Sequence, residues 1–127
     1  RAVIAPKNGY VGSIGVIALH VAYPRALHEA GIDVTILAAG AHKADFNPYE
    51  ALPKDVADRF RAEIEAERQM FAEAVGRYRG DRLTKDAALA TEAQTFLGDD
   101  AVKAGLADAV ADPMKAFDAF VDEMATV

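Results

Sequence analysis

Gly12-Ser13-Ile14-Gly15-Val16-Ile17-Ala18-Leu19 is rich in β-branched and small residues and reads as a strand from about Ser13. Tyr23 to Ala30 follows with helical spacing in Leu27 and Ala30, and Gly31 stands where a helix C-cap glycine belongs. Asp33-Val34-Thr35-Ile36-Leu37 is the next strand. Strand, helix and strand at these lengths predict a right-handed βαβ unit on a parallel sheet, hence an α/β fold.

Working outward, Ala2-Val3-Ile4-Ala5 is a short apolar strand closed by Pro6 and the turn-forming Asn8-Gly9. Strands near 3–5, 13–19 and 33–37 are expected to share one sheet, with the 23–30 helix packed on it. Residues 38–52 have no period and carry Gly40 and Pro48, which predicts a long loop of the kind that more often holds function than mere connection. Pro53 then opens the longest element, a helix to about Tyr78. Val56, Phe60, Ile64, Phe71, Val75 and Tyr78 keep mostly four- and seven-residue spacing, and Arg59/Glu63 and Arg61/Glu65 are opposite charges four apart. Gly80 ends it. A helical stretch at 84–89, a strand at 94–97, a helix at 99–104 stopped by Gly105 and a short strand within 106–110 come next. Asp112-Pro113 makes a good N-cap and first position for a last helix, with Phe117, Phe120, Val121 and Met124 on its apolar side. No repeat, low-complexity tract or linker interrupts 1–127, which is expected to form one domain or the larger part of one. The first residue is Arg1, and an apolar strand begins without lead-in, so the chain reads as a piece of a longer protein.

Composition narrows the function. Of the 127 residues, 52% are hydrophobic and 27% charged, too apolar for intrinsic disorder. Cysteine is absent, which excludes disulfides, thiolate nucleophiles and Cys-ligated metals. A net charge of -6 leaves no basic surplus to neutralise phosphates, so no nucleic-acid partner is expected. The richest apolar stretch, Val11 to Ala22, contains Ser13 and His20 and is too short to span a bilayer.

Several chemical readings fail on spacing. His20, His28 and His42 have no second ligand at a metal-site interval, and each reads as a surface or satisfied histidine; no metal and no cofactor is expected. Asp45-Phe46-Asn47 lacks the glycine and terminal glutamate of a calcium loop. Gly9, Gly12 and Gly15 miss the phosphate-binding fingerprint, and no Walker lysine follows. By itself Gly12-Ser13-Ile14-Gly15 indicates close backbone packing or a backbone left free to meet a ligand.

Taken together, Gly12-Ser13-Ile14-Gly15-Val16 and Gly40-Ala41-His42-Lys43-Ala44-Asp45-Phe46-Asn47-Pro48-Tyr49 resemble the serine peptidase family of signal peptide peptidase A and protease IV. The resemblance continues through Gly31-Ile32-Asp33-Val34-Thr35, Leu52-Pro53-Lys54-Asp55-Val56, Arg68-Gln69-Met70-Phe71, Thr91-Glu92-Ala93 and Ala101-Val102-Lys103-Ala104-Gly105-Leu106-Ala107-Asp108, nearly the whole chain. The run from Lys43 through Asp45, Asn47 and Pro48 to Tyr49 is similar to the phage branch, the head-maturation (prohead) proteases or protease C group. Two positions depart from the pattern. Val11 stands where threonine is usual, and Phe46 stands where glycine is usual, so the loop after Lys43 is expected to take a different backbone path.

The resemblance implies a ClpP/crotonase-like spiral of ββα units, of which this chain supplies the C-terminal part. It also implies a Ser–Lys dyad, in which a lysine amine takes the proton of a serine hydroxyl that attacks the peptide carbonyl. By position Lys43 is the general base and Ser13 orients it. The nucleophilic serine is expected upstream of Arg1, so the chain alone is expected to be inactive. A free lysine, with a pKa of about 10.4, is a poor base near neutrality, and burial without a counter-ion can bring it to roughly 7–8. Asp45 is two residues from Lys43 and is expected to point away from it. The implied substrate is a scaffold or capsid-related protein, the implied assembly a homo-oligomer, and the implied location the host cytoplasm or the assembling prohead. Two other readings stay open: a membrane-associated signal peptide peptidase that degrades cleaved signal peptides, and a non-catalytic assembly module of a phage head.

Overall fold

The computed structural model describes residues 2–125, and Arg1, where the sequence begins, lies outside the described residues. In chain order the elements are β1 (Ile4–Ala5), β2 (Tyr10–Gly12), α1 (Pro24–Glu29), α2 (Lys54–Arg79), a 3-10 turn at Gly80–Arg82, α3 (Lys85–Ala90), β3 (Thr95–Leu97), α4 (Gly98–Lys103), β4 (Ala109–Val110) and α5 (Pro113–Ala125). The α/β mixture is as expected, α1 to α4 begin and end within about two residues of their expected bounds, and α5 begins at the expected Pro113. The chain divides into two compact units, one of residues up to Gly15 together with those from Arg68 onward, the other Val16–Glu67.

The first unit holds both strand pairs. β1 runs parallel to β4, with Ile4 opposite Ala109 and Ala5 opposite Val110. β2 runs antiparallel to β3, with Tyr10, Val11 and Gly12 opposite Leu97, Phe96 and Thr95. Its core is Ala5, Ile14, Ala72, Leu83, Ala88, Ala101, Leu106 and Ala107, with Val11, Val75, Leu89, Phe96 and Val102 packed around it. So many alanines let helix and strand backbones approach closely, and Ile14, Leu83 and Leu106 supply the larger apolar burial, about 1.5–3 kcal/mol each. Close approach fixes Gly105 as well: at φ +75° it takes a conformation glycine adopts freely, and a Cβ there would lie 2.0 Å from the Arg82 carbonyl oxygen.

One polar cluster pins this unit. Arg79, at the end of α2 and buried, donates from Nη1 to Asp108 Oδ2 at 2.7 Å, from Nη2 to Asp108 Oδ1 at 3.1 Å and from Nε to the Gly105 carbonyl at 2.8 Å. Arg82 Nη1 donates to Asp108 Oδ1 at 2.7 Å, and the Val3 amide donates to Asp108 Oδ2 at 2.6 Å. A bidentate fork satisfies a buried guanidinium as a single ammonium could not. Arg79 first, then the Val3 amide and Arg82, hold the Asp108 carboxyl far below the usual carboxylate range. At the other helix ends, Asp112 Oδ1 accepts from the Met114 and Lys115 amides at 3.0 and 3.1 Å, and Thr84 Oγ1 accepts from the Ala87 amide at 3.1 Å.

The second unit contains α1, the loop after it and the first part of α2. Pro24 opens α1, and Gly31, at φ +69°, closes it while the Ile32 amide bonds the Leu27 carbonyl at 2.9 Å. Here the single expected sheet is corrected. Residues 13–19 form no strand and 33–37 form none, so no βαβ unit is made among the described residues. The ladder of β2 stops at Gly12 and Ser13, whose φ values of +137° and +59° turn the chain out of extended geometry. Beyond that turn Ile17 (89%) and Leu19 (79%) are largely exposed, as is Leu37 (93%) in the later segment. β-branched composition gives these segments strand propensity, but a strand exists only where a partner takes its N–H and C=O groups. No helix among the described residues is long and apolar enough to cross a membrane.

Candidate active site

Ser13 belongs to the first unit and Lys43 to the second. Ser13 directly follows β2 with a left-handed backbone, φ +59°, a conformation that costs a non-glycine residue about 1 kcal/mol. Backbone bonds hold it there: its amide donates to the Gln94 carbonyl at 3.0 Å, and its carbonyl accepts from the Gly15 amide at 2.9 Å. Opposite it, Glu92 and Ala93 also have positive φ, +47° and +60°. Gly12 permits the approach, since a Cβ there would lie 2.3 Å from the Gln94 oxygen. Such clustered backbone strain persists only where the surroundings over-determine it. The Ser13 side chain is exposed.

Lys43 stands in a run of tight turns. Its amide donates to the Gly40 carbonyl at 3.1 Å, the Asp45 amide to His42 at 3.3 Å and the Asn47 amide to Ala44 at 3.3 Å. The lysine side chain is exposed. Asp45 does turn away from it. One carboxylate oxygen, Oδ2, takes the Arg59 guanidinium from α2 and lies 3.0 Å from His42 Nδ1. Arg59 Nη1 is 3.1 Å from that same Nδ1, so the ring either accepts from Arg59 or donates to Asp45, according to its tautomer. Arg59 first, with His42 adding to it, lowers the Asp45 pKa from its ordinary value.

Phe46, which stands where the resemblance has glycine, has φ +67°, the left-handed backbone that glycine takes without cost. Its ring offsets the strain by packing 4.4 Å from the Phe60 ring and edge-on to His20 at 5.0 Å between centroids. His20, half-buried, lies 2.7 Å from the Asn47 carbonyl through Nε2, a satisfied histidine rather than a ligand. His28 is exposed on α1, and no group of three or more acidic or histidine side chains among the described residues could hold a metal ion.

The roles of two residues escaped sequence reasoning. Asn47 organises the loop: Oδ1 accepts from the Tyr49 and Glu50 amides at 2.9 and 3.1 Å, while Nδ2 donates to the Ala44 carbonyl at 2.9 Å. The Asn-Pro dipeptide at 47–48 was the available signal, because asparagine side chains bond the backbone two residues on and start turns. Arg59 read as half of a solvated pair with Glu63; that contact exists at 3.8 Å, but the guanidinium also serves Asp45. Nothing local announces a partner fourteen residues away. Beside the loop, an open groove of about 520 Å³ is lined by Ala22, Tyr23, Pro24, Ala26 and Ala51.

Comparison with known proteins places these residues in a family. The chain is similar to the head-tail preconnector protein GP5 of Enterobacteria phage P21, with 46% identity over 105 residues, covering 83% of this chain and 21% of that protein. It is similar to the capsid assembly protease C of Escherichia phage lambda, with 41% identity over 105 residues, covering 83% of this chain and 24% of that protein. The chain thus spans about a fifth to a quarter of the length of these relatives. The family description Peptidase family S49 matches residues 1–126, and the chain belongs to that family.

Proposed function

We propose that this chain is part of the peptidase domain of a phage head-maturation protease, a Ser–Lys serine endopeptidase that cleaves scaffold or capsid-related proteins. The names of the two phage relatives support the setting, and the loop at 40–47 supports the chemistry. The observation that carries the reading is the engagement of Asp45 by Arg59 and His42, which leaves the neighbouring Lys43 amine without an anion from its own loop. An amine spared a counter-ion is the one that covering by protein or substrate can make basic at neutral pH.

In this mechanism Lys43 Nζ accepts the proton of the nucleophilic serine hydroxyl, and the serine oxygen attacks the scissile carbonyl. The protonated lysine then returns that proton to the leaving amine, and water, deprotonated by the same lysine, releases the acyl group. Ser13 orients the lysine: a hydroxyl can accept from the amine without adding charge, which a carboxylate cannot do. The nucleophile comes from sequence upstream of Arg1, within a ClpP/crotonase-like spiral whose further strands would pair the segments at 16–19 and 33–37 that lie outside the strand ladders. Met114, Phe117, Phe120, Val121 and Met124 leave α5 apolar and exposed, which supports association of several chains, in the host cytoplasm or the assembling prohead.

Peptide cleavage by the complete protease tests the reading. Replacing Lys43 or the upstream serine by alanine should each abolish turnover, and a Lys43→Ala enzyme that still cleaves would overturn it. An essential upstream membrane anchor would instead favour signal-peptide degradation.

A further inference from the structure

A carboxylate within ~4–6 Å of an amine raises its pKa by about 1–3 units, so an Asp45 free to swing toward Lys43 would keep that lysine protonated. The second unit has a device against this. Arg59, in the second turn of α2, ion-pairs with Asp45 Oδ2 and places Nη1 3.1 Å from His42 Nδ1. These two partners flank Lys43 in the loop. Asp45 is held at 16% exposure while the lysine beside it is exposed. The adjacent residue anchors the same loop to the same helix, since Phe46 packs on Phe60 and the Arg59 guanidinium lies 5.6 Å from the Phe60 ring centroid. Other titratable groups of the loop and of α2 have partners of their own: Glu63 lies 3.8 Å from Arg59 Nε, Lys54 pairs with Asp58, Glu50 accepts from Asn47 Nδ2 at 3.2 Å, and His20 is turned to the Asn47 carbonyl.

We propose that Arg59 is a positioning residue for Lys43, capturing the Asp45 carboxylate and fixing the 42–45 turn on α2 so that the lysine can act as a neutral base. The proposal rests on the reading of Lys43 as general base. It assigns Arg59 no contact with substrate, only control over which partner Asp45 takes.

The test is kcat/KM for peptide cleavage against pH in the complete protease. Arg59→Gln should move the acidic limb upward by about one pH unit and lower kcat about tenfold below that limb, with KM little changed. Arg59→Met keeps an aliphatic stem over Phe60, carries the same expectation and stands in should the glutamine variant not fold. Arg59→Lys, which retains the charge, should keep the wild-type limb. Adding Asp45→Asn to Arg59→Gln should bring the limb back, a reversal that a purely structural role would not produce. An unshifted limb, or a shift that Asp45→Asn does not reverse, overturns the proposal while an inactive Lys43→Ala control leaves the general-base reading standing. A Lys43→Ala control that cleaves normally overturns both.

Discussion

Asp108 and Asp45 are each held by an arginine, yet the two clusters sit in different surroundings. Asp108 receives both Arg79 and Arg82 and the Val3 amide, and its main partner has a side chain only 8% exposed. It joins the chain's first strand, the end of α2 and the segment before β4. Asp45 receives Arg59 and His42, whose side chains are 35% and 72% exposed, and joins one loop to one helix. The chemistry is shared and the consequences differ. Burial determines how much a charge pair matters to stability, because removing one partner strands the other only where water cannot reach it. Adjacency determines whether a pair matters to catalysis, and Asp45 alone lies beside a candidate base.

The largest expected effect falls on the buried cluster. Arg79→Ala removes the buried partner of Asp108, leaving it the more exposed Arg82 and the Val3 amide, and should cost about 2–3 kcal/mol in denaturant unfolding, with Arg59→Ala costing much less. Equal losses would erase the distinction. On the catalytic side, Ser13→Ala should reduce kcat of the complete protease about 10- to 100-fold and leave residual turnover, because the base remains but loses its orientation. It should barely alter stability, the side chain being exposed.

Acid sharpens the comparison further. Both carboxyls have folded pKa values below the unfolded value of about 3.9, so their stabilisation is complete above roughly pH 4 and is lost as pH falls through the folded values. Stability measured from pH 5 downward should therefore fall, and Asp108→Asn should flatten that fall more than Asp45→Asn. The smallest effect concerns Phe46. Glycine relieves the left-handed backbone and alanine does not, while both lose the ring, so Phe46→Gly should be more stable than Phe46→Ala by about 1 kcal/mol.

What could be read from the sequence follows the range of the forces involved. α2 was legible because its period, its Pro53 start and its Gly80 end all lie along the segment itself, and the caps at Gly31 and Asp112 are equally local. The segments at 13–19 and 33–37 have strand composition, but pairing depends on distant residues, and the positive φ at Ser13 depends on Gln94. Lys43 and Ser13 stood out through motif resemblance. The role of Arg59 did not, because it arises from a contact with Asp45 that a one-dimensional pattern does not carry, whereas Asn47 lay within the motif and its turn-forming role was readable from the Asn47-Pro48 dipeptide.

Lys43→Arg in the complete protease tests the central claim most directly. Arginine keeps the positive charge and much of the length but cannot give up its proton at usable pH, so it preserves electrostatics while removing the base. Peptide cleavage should fall to the level of Lys43→Ala, with folding unchanged by circular dichroism. A Lys43→Arg enzyme that cleaves at a near-normal rate would contradict the general-base role of Lys43.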